Sequence, residues 1–148
     1  MPEVVFVCYG NICRSPIAEA LLAKALDERL GPGHGWVVSS AGIGATDGTV
    51  ASRGTKDVLS ARGIDFRAHR ARFLTPAIAR RAELIVCMEP EQVTHVQKMV
   101  DDPSRVVLMG TGVPDPIGAG PEMYERTAVL IESHIGPLAE RILDGGAR

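Results

Sequence analysis

The 148-residue chain is 45% hydrophobic and 23% charged, which suits one globular domain and excludes a wholly disordered chain. Its formal net charge of −2 gives no reason to expect nucleic acid or an anionic membrane as a partner. We find no apolar run near the ~20 residues that cross a bilayer, and the start MPEVVFVCYG lacks the basic region of a signal peptide.

Short β-branched runs alternate with longer helical stretches along the chain. The runs predict strands at residues 4–8, 36–40, 83–88 and 105–109. Helices are predicted at residues 16–30, 49–62, 75–81, 90–100 and 122–143. At the start of the first helix, we expect Ser15 to be the N-terminal cap and Pro16 the first helical residue.

This alternation predicts an α/β fold in a single domain over residues 1–148, with an open parallel sheet of about four strands and helices on both faces. In such sheets, ligands bind beyond the carboxyl ends of the strands. CYGNICRS at 8–15 follows the first strand, and VPDP at 113–116 follows the fourth. We therefore expect these two segments to line one pocket.

CYGNICRS has the composition of a loop that binds an anion. Gly10 and Asn11 tolerate backbone angles that other residues avoid, so the loop can turn its N–H groups inward beside a helix N-terminus. Arg14 adds a planar, permanently charged group suited to two phosphate oxygens. The same positive field favours the thiolate form of Cys8, which makes this sulfur a nucleophile toward a bound phosphoryl group.

VPDP supplies the acid that attack on a phosphoester requires. Asp115 is placed to protonate the departing oxygen and then to take a proton from the water that attacks the phosphocysteine. We expect Ser15 to donate a hydrogen bond to the Cys8 sulfur. We expect no metal and no cofactor, because Arg14 and the backbone amides carry the transition-state charge and an isolated CxxxxC is a poor zinc site.

These motifs resemble those of the low-molecular-weight protein-tyrosine phosphatases over almost the whole chain. CYGNICRSP matches the phosphate loop of that family, SSAG at 39–42 and AHRAR at 68–72 match its supporting segments, and DP at 115–116 matches its acid loop. The resemblance implies a flavodoxin-like sheet, with Cys8 as nucleophile, Arg14 as phosphate ligand and Asp115 as acid.

The resemblance also implies the remaining site residues and the partners. The loop residues expected to contact substrate or phosphate are Tyr9, Gly10, Asn11, Ile12, Cys13 and Ser15. The residues expected to hold the loop by hydrogen bonds are Asn11, Ser15, Ser40 and His69. Phosphorylated proteins are the implied substrates, inorganic phosphate and vanadate the implied inhibitors, and the expected protein is a bacterial, cytoplasmic monomer.

The chain departs from tyrosine-specific members in its aromatic residues. Ile117 follows the Asp-Pro pair, and IGATDG at 43–48 contains no aromatic side chain. The nearest candidates to contact a phosphotyrosine ring are Tyr9, expected at the pocket rim, and Tyr124, for which helix packing is an equal alternative. The DPIG form also resembles a bacterial branch that includes protein-arginine phosphatases, in which threonine replaces Ile12. Because Ile12 is apolar, we rank phosphotyrosine first and phosphoarginine second.

Two other functions compete with a phosphatase. An arsenate reductase of this fold needs two further cysteines to relay a disulfide, but Cys87 is the only cysteine after Cys13 and is expected to be inert core. A non-catalytic phosphate-binding module predicts a damaged site, whereas the nucleophile, arginine, serine and acid are all present. By the resemblance, Cys13 pairs with Cys8 under oxidation; simple packing is the alternative.

A basic stretch follows the second predicted helix. A solvated face is the favoured interpretation of its arginines, and attraction of phosphorylated protein partners is the alternative. The arginines of this stretch are Arg62, Arg67, Arg70, Arg72, Arg80 and Arg81. Three cysteines cannot form a closed set of pairs, which favours reduced thiols and hence the cytoplasmic location.

Overall fold

Four short strands form one parallel sheet in the computed structural model, which describes residues 2–144. The strands are β1 (Glu3–Cys8), β2 (Val37–Gly42), β3 (Leu84–Cys87) and β4 (Val106–Leu108). Their spatial order is β2-β1-β3-β4, and every pairing is parallel. The predicted α/β class and the predicted four-stranded parallel sheet are therefore confirmed.

Helices cover both faces of this sheet. They are α1 (Arg14–Leu30), α2 (Arg53–Ser60), α3 (Pro76–Arg81), α4 (Pro90–Gln97) and α5 (Pro121–Leu143), with a short 3₁₀ turn at Pro103–Arg105. Side chains of β1 alternate between two buried cores, as the pleat requires. Val4, Phe6 and Cys8 pack with α1, α2 and α5, whereas Val5 and Val7 pack with α3 and α4.

The strand order places a binding site at the ends of β1 and β3. The chain runs outward from β1 to β2 and then crosses to β3 on the other side, so the order reverses between β1 and β3. Open α/β sheets bind ligands in the crevice at such a switch point, outside the carboxyl ends of the strands. Cys8 is the last residue of β1, and it therefore lies at this crevice.

The start of α1 differs from the sequence prediction. The helix begins at Arg14, its cap position is Cys13, and no side chain caps it. The expectation that Ser15 caps the helix and that Pro16 begins it was wrong. Ser15 lies within the first turn, where its hydroxyl contacts the Cys8 sulfur and the Asn11 side chain. That hydroxyl is therefore part of the loop and not a cap.

Two further ends of secondary-structure elements differ from the sequence prediction because of long-range pairing. Strand β2 runs to Gly42, because Gly42 still pairs with Cys8 although Ala-Gly has weak strand propensity. Helix α2 begins at Arg53 and not at residue 49, because Val50 forms an antiparallel bridge with Arg70 and Ser52 caps the helix. The other element ends coincide with the prediction or differ by one to three residues.

Within residues 2–144, no helix combines the length and the apolarity that crossing a bilayer requires.

Candidate active site

The loop from Cys8 to Ser15 turns at Asn11. Asn11 has φ +57°, in the left-handed region that asparagine tolerates better than most residues. Its backbone N–H points back at the Cys8 sulfur, with N and Sγ 3.3 Å apart. Its backbone carbonyl accepts a hydrogen bond from Nε2 of His69 at 2.8 Å. The left-handed residue thus aims an amide at the sulfur. The predicted use of unusual backbone angles holds for Asn11, whereas Gly10 does not have a positive φ.

The Asn11 side chain holds the loop from inside the protein. It is fully buried, and its Nδ2 donates to the hydroxyls of Ser15 and Ser40, each at 2.9 Å. Its Oδ1 accepts from the backbone N–H of Arg72 at 2.9 Å. The Asn11 side-chain amide therefore brings Ser15 and Ser40 together, while His69 contacts the Asn11 backbone carbonyl. Both donor hydrogens of the side-chain amide are satisfied, which fixes the orientation of the amide.

Ser15 gives the Cys8 sulfur its second contact. The Ser15 hydroxyl oxygen lies 2.9 Å from Sγ. Because this oxygen already accepts a hydrogen bond from Asn11, its own proton is free to be donated to the sulfur. Two donors and the N-terminus of α1 thus converge on one sulfur atom. Such donors stabilise a thiolate more than a neutral thiol.

Two residues of this network escaped the sequence analysis. Oε1 of Glu19 accepts from the Ser40 hydroxyl at 2.5 Å, and burial raises the pKa of Glu19 while this hydrogen bond opposes the shift. Glu19 lies one helical turn after Ser15, an i, i+4 spacing that could have indicated a shared face. Arg72, predicted to be solvated, donates from Nε to the Ser40 carbonyl at 2.9 Å, so that prediction was wrong for Arg72.

The Arg14 side chain is almost entirely buried, with 1% of its surface exposed, and it is held by three oxygen atoms from two other segments. Its Nη1 donates to the Val113 carbonyl at 2.8 Å and lies 3.0 Å from Oε2 of Glu89. Its Nη2 lies 3.4 Å from Oδ2 of Asp115. Nε is buried and has no hydrogen-bond partner within residues 2–144. Two carboxylates compensate the buried charge and fix the guanidinium group.

Glu89 is the third residue that the sequence did not reveal. In the sequence, MEPEQ is typical of a helix start, and Glu89 is indeed the cap residue of α4. Its carboxylate accepts from Nε2 of Gln92 at 2.9 Å and reaches Arg14 with the same oxygen. The Arg14 contact depends on the pairing of β3 with β1, which no local pattern expresses.

Asp115 is held so that one carboxylate oxygen is directed toward the arginine. Its Oδ1 accepts from the backbone N–H of Ile117 at 3.1 Å, and its Oδ2 faces Arg14. The side chain is 38% exposed, so water and a substrate oxygen can reach it. The acid-loop segment therefore lies beside the phosphate-loop segment, as the sequence predicted.

Cys8, Arg14 and Asp115 line one small cavity of about 160 Å³, whereas Asn11 and Ser15 are not among its lining residues. Its lining residues are Cys8, Tyr9, Gly10, Ile12, Cys13, Arg14, Asp115 and Ile117. A larger cavity of about 680 Å³ lies along α2, but its lining includes no cysteine and no histidine. The small cavity is the candidate active site because, of the two, it alone combines a thiol with a buried arginine and a carboxyl group.

Of the other two cysteines, Cys13 lines the same cavity and Cys87 does not. The Cys13 thiol contacts the Tyr124 hydroxyl at 3.2 Å and the Ser52 hydroxyl at 3.4 Å, and burial raises the pKa of Cys13. Tyr124 is buried in the core with α5, so the structure favours packing over a role at the rim. Cys87 lies within β3, where burial raises its pKa to about 12. Pairing of Cys13 with Cys8 under oxidation stays a prediction.

These surroundings predict selective alkylation. At neutral pH, iodoacetamide should modify Cys8 in the cavity. Cys13 also lines the cavity, but burial raises its pKa, as it raises the pKa of Cys87, so both thiols should stay protonated and unreacted. Peptide mapping by mass spectrometry checks this, and inorganic phosphate should slow the labelling of Cys8. Labelling of Cys87 in the folded protein as fast as that of Cys8 would contradict the assignment.

Comparisons with known proteins show which family this chain is similar to. The sequence model of the family described as "Low molecular weight phosphotyrosine protein phosphatase" matches residues 3–145. The chain is 31% identical to the low molecular weight protein-tyrosine-phosphatase Etp of Escherichia coli K12, covering 95% of this chain and 94% of Etp. It is 44% identical over 94 residues to a Ralstonia solanacearum protein named "Probable low molecular weight protein-tyrosine-phosphatase EpsP".

The extent of these matches differs. The EpsP match covers 64% of this chain and 60% of EpsP, so the chain spans less than two thirds of that relative. Among solved structures, the YwlE arginine phosphatase from Geobacillus stearothermophilus has a TM-score of 0.85 with this chain at 30% identity. That match covers 97% of this chain and 94% of YwlE. Similarity over nearly the full length therefore extends to proteins named for two different phosphorylated side chains.

Proposed function

Because this chain belongs to the low molecular weight phosphotyrosine protein phosphatase family, we propose that it hydrolyses phosphorylated protein side chains through a phosphocysteine intermediate on Cys8. Phosphotyrosine is the first proposed substrate and phosphoarginine the alternative. Inorganic phosphate and vanadate are the proposed inhibitors. A thiolate nucleophile requires a reducing compartment, and a bacterial cytoplasm is the proposed location. The proposed oligomeric state is a monomer.

One observation carries this proposal. The Cys8 sulfur, the buried guanidinium of Arg14 and the carboxyl group of Asp115 line the same small cavity. The buried Nε of Arg14 has no partner among the described residues, and a buried donor of this kind is costly unless an acceptor reaches it. A phosphoryl oxygen would be such an acceptor, which supports binding of the phosphoryl group beside the sulfur.

In the first chemical step, the loop amides and Arg14 bind the nonbridging phosphoryl oxygens. The Cys8 thiolate attacks phosphorus, an S–P bond forms, and the P–O bond to the phenol breaks. Asp115 donates its proton to the departing phenolic oxygen, which avoids expulsion of a basic phenolate. The guanidinium and the amides stabilise the charge on the equatorial oxygens in the transition state.

In the second step, the roles reverse. The ionised Asp115 takes a proton from water, the water oxygen attacks phosphorus, and the S–P bond breaks. The Cys8 sulfur leaves as a thiolate, to which the Ser15 hydroxyl donates a hydrogen bond. Inorganic phosphate is released, and Asp115 is again protonated for the next cycle.

Ile12 supports the proposed order of the two substrates. It lines the cavity and offers no hydroxyl, whereas the resemblance to the arginine-specific branch implies a threonine at this position. An apolar side chain suits an aryl ring better than a polar guanidino group. A different observation favours phosphoarginine, the alternative substrate: YwlE, named an arginine phosphatase, is 30% identical to this protein over nearly the whole chain.

A substrate comparison tests the proposal. We expect the wild type to hydrolyse a phosphotyrosine peptide with a higher kcat/KM than the matching phosphoarginine peptide. Ile12→Thr should move this ratio toward phosphoarginine by about five- to tenfold, the worth of one hydrogen bond. Val129→Thr, an exposed position on α5, is the matched control and should leave the ratio unchanged.

The possible results separate the candidates. A wild type that prefers phosphoarginine would replace the first substrate with the alternative. An unchanged ratio in Ile12→Thr would remove the argument for ranking phosphotyrosine first. Absence of hydrolysis with both peptides, together with retained phosphate binding, would favour the non-catalytic phosphate-binding module. The arsenate reductase alternative is not supported, because the only cysteine after Cys13 lies buried within β3.

A further inference from the structure

Among the residues that line the cavity, the aromatic side chain comes from the phosphate loop and not from the acid loop. The acid loop at residues 113–119 contains no aromatic residue. Tyr124, the other candidate, is buried against Cys13. Tyr9, by contrast, lines the cavity and leaves 59% of its surface exposed, while Ile117 at the same cavity leaves 54% exposed. Both side chains therefore remain available to contact a substrate.

Gly44 holds the Tyr9 ring in its place. A Cβ atom added to Gly44 would lie 2.4 Å from Cζ and 2.7 Å from the hydroxyl oxygen of Tyr9, so the ring contacts the glycine backbone directly. The Gly44 N–H also donates to the Tyr9 carbonyl at 2.9 Å. A larger residue here would displace the end of the Tyr9 ring from this position. The contact gives an otherwise exposed ring a defined position at the cavity mouth.

The size of the cavity places a substrate ring at this mouth. An apolar cavity of roughly 150 Å³ holds one benzene molecule, and the whole active-site cavity measures about 160 Å³. A phosphoryl group beside Cys8 and Arg14 takes part of that space. The aromatic ring of a phosphotyrosine must then extend to the mouth, where the exposed side chains of Tyr9 and Ile117 lie.

We propose that Tyr9, positioned by Gly44, is the aromatic wall that recognises the ring of an aryl phosphate in this enzyme. The assignment rests on the proposed function and deepens it, because it names the group that selects an aromatic substrate where the acid loop provides none. Aromatic pairs gain free energy beyond the area that they bury, in offset or edge-to-face arrangements. The contribution of Tyr9 therefore belongs to binding of the ring and not to binding of the phosphate.

Binding measurements separate these two contributions without any turnover. We expect Tyr9→Ala to bind benzylphosphonate roughly tenfold more weakly than the wild type, with the affinity for inorganic phosphate within about twofold. Tyr9→Phe keeps the ring and should retain most of the benzylphosphonate affinity. Val129→Ala, an apolar truncation on the exposed face of α5, is the control for nonspecific effects. Isothermal titration calorimetry on the full chain gives all of these affinities.

A second variant tests the role of the glycine. Gly44→Ala brings a Cβ into the space of the ring and should weaken benzylphosphonate binding as Tyr9→Ala does. In the Tyr9→Ala background, the same Gly44→Ala change should add little, because the ring that it displaces is gone. Independent, additive losses in the double variant would show that Gly44 acts in another way and would overturn the positioning argument.

The outcomes distinguish this proposal from the proposed function. Equal benzylphosphonate affinity in the wild type and Tyr9→Ala overturns the aromatic wall, even when Cys8-dependent hydrolysis is observed. Benzylphosphonate binding no tighter than inorganic phosphate in the wild type overturns it as well. Conversely, a protein without turnover whose benzylphosphonate affinity depends on Tyr9 supports the proposed role of Tyr9. The same result contradicts the proposed catalysis.

Discussion

Cys8→Ser should lower the kcat for a phosphotyrosine peptide by roughly 10⁴-fold or more, while inorganic phosphate still binds. A serine hydroxyl is not ionised near neutral pH, whereas the thiolate is the attacking form of the cysteine. The amide of Asn11 and the guanidinium of Arg14 remain in place, which preserves the anion site. Steady-state kinetics and calorimetry with phosphate measure the two effects separately.

Trapping of the intermediate completes this test. Acid quenching of the wild type during turnover of a ³²P-labelled peptide should leave label on the peptide that contains Cys8. Cys87→Ser, the same substitution within β3 and outside the cavity, is the control and should keep its turnover once its folding is verified by circular dichroism. Phosphate-ester hydrolysis by Cys8→Ser at the wild-type rate would exclude the proposed nucleophile.

Asp115→Ala should lower kcat by roughly 10²- to 10⁴-fold for a phosphotyrosine peptide, whose phenol is a poor leaving group without a proton. The loss should be much smaller for an aryl phosphate with an acidic phenol, since that phenolate leaves without protonation. A series of substituted phenyl phosphates measures this difference as a steeper dependence of rate on leaving-group basicity.

The neighbourhood of Asp115 requires a second variant. Its carboxylate also faces Arg14, so truncation alters the arginine as well as the acid. Asp115→Asn keeps the acceptor for the Ile117 N–H and nearly the same shape, and it should lose as much activity as Asp115→Ala if the proton is what matters. Asp57→Ala removes an exposed carboxylate of α2 as a control. If both Asp115 variants hydrolysed aryl phosphates with poor and good leaving groups at equal rates, the general acid would be another group.

The phosphate loop could be predicted because its information is local. A buried β-branched run, a glycine and an asparagine that tolerate unusual backbone angles, and an arginine and serine at a helix start lie within about a dozen consecutive residues. The φ of +57° at Asn11 follows from that local pattern. The alternation of strands and helices is equally local, and it was sufficient for the fold class and for placing Cys8 and Asp115 at one edge of the sheet.

The surroundings of the loop could not be predicted in the same way. Glu89 and Val113 reach Arg14 only because β3 lies beside β1, and Arg72 reaches Asn11 only because its segment returns to the end of β2. Ser15 carries the signature of a helix cap, yet three-dimensional packing directs it to the nucleophile. A sequence pattern encodes periodicity and turn preference over short distances. The choice of partner for a buried charge or amide depends on strand order and register, which are properties of the assembled sheet.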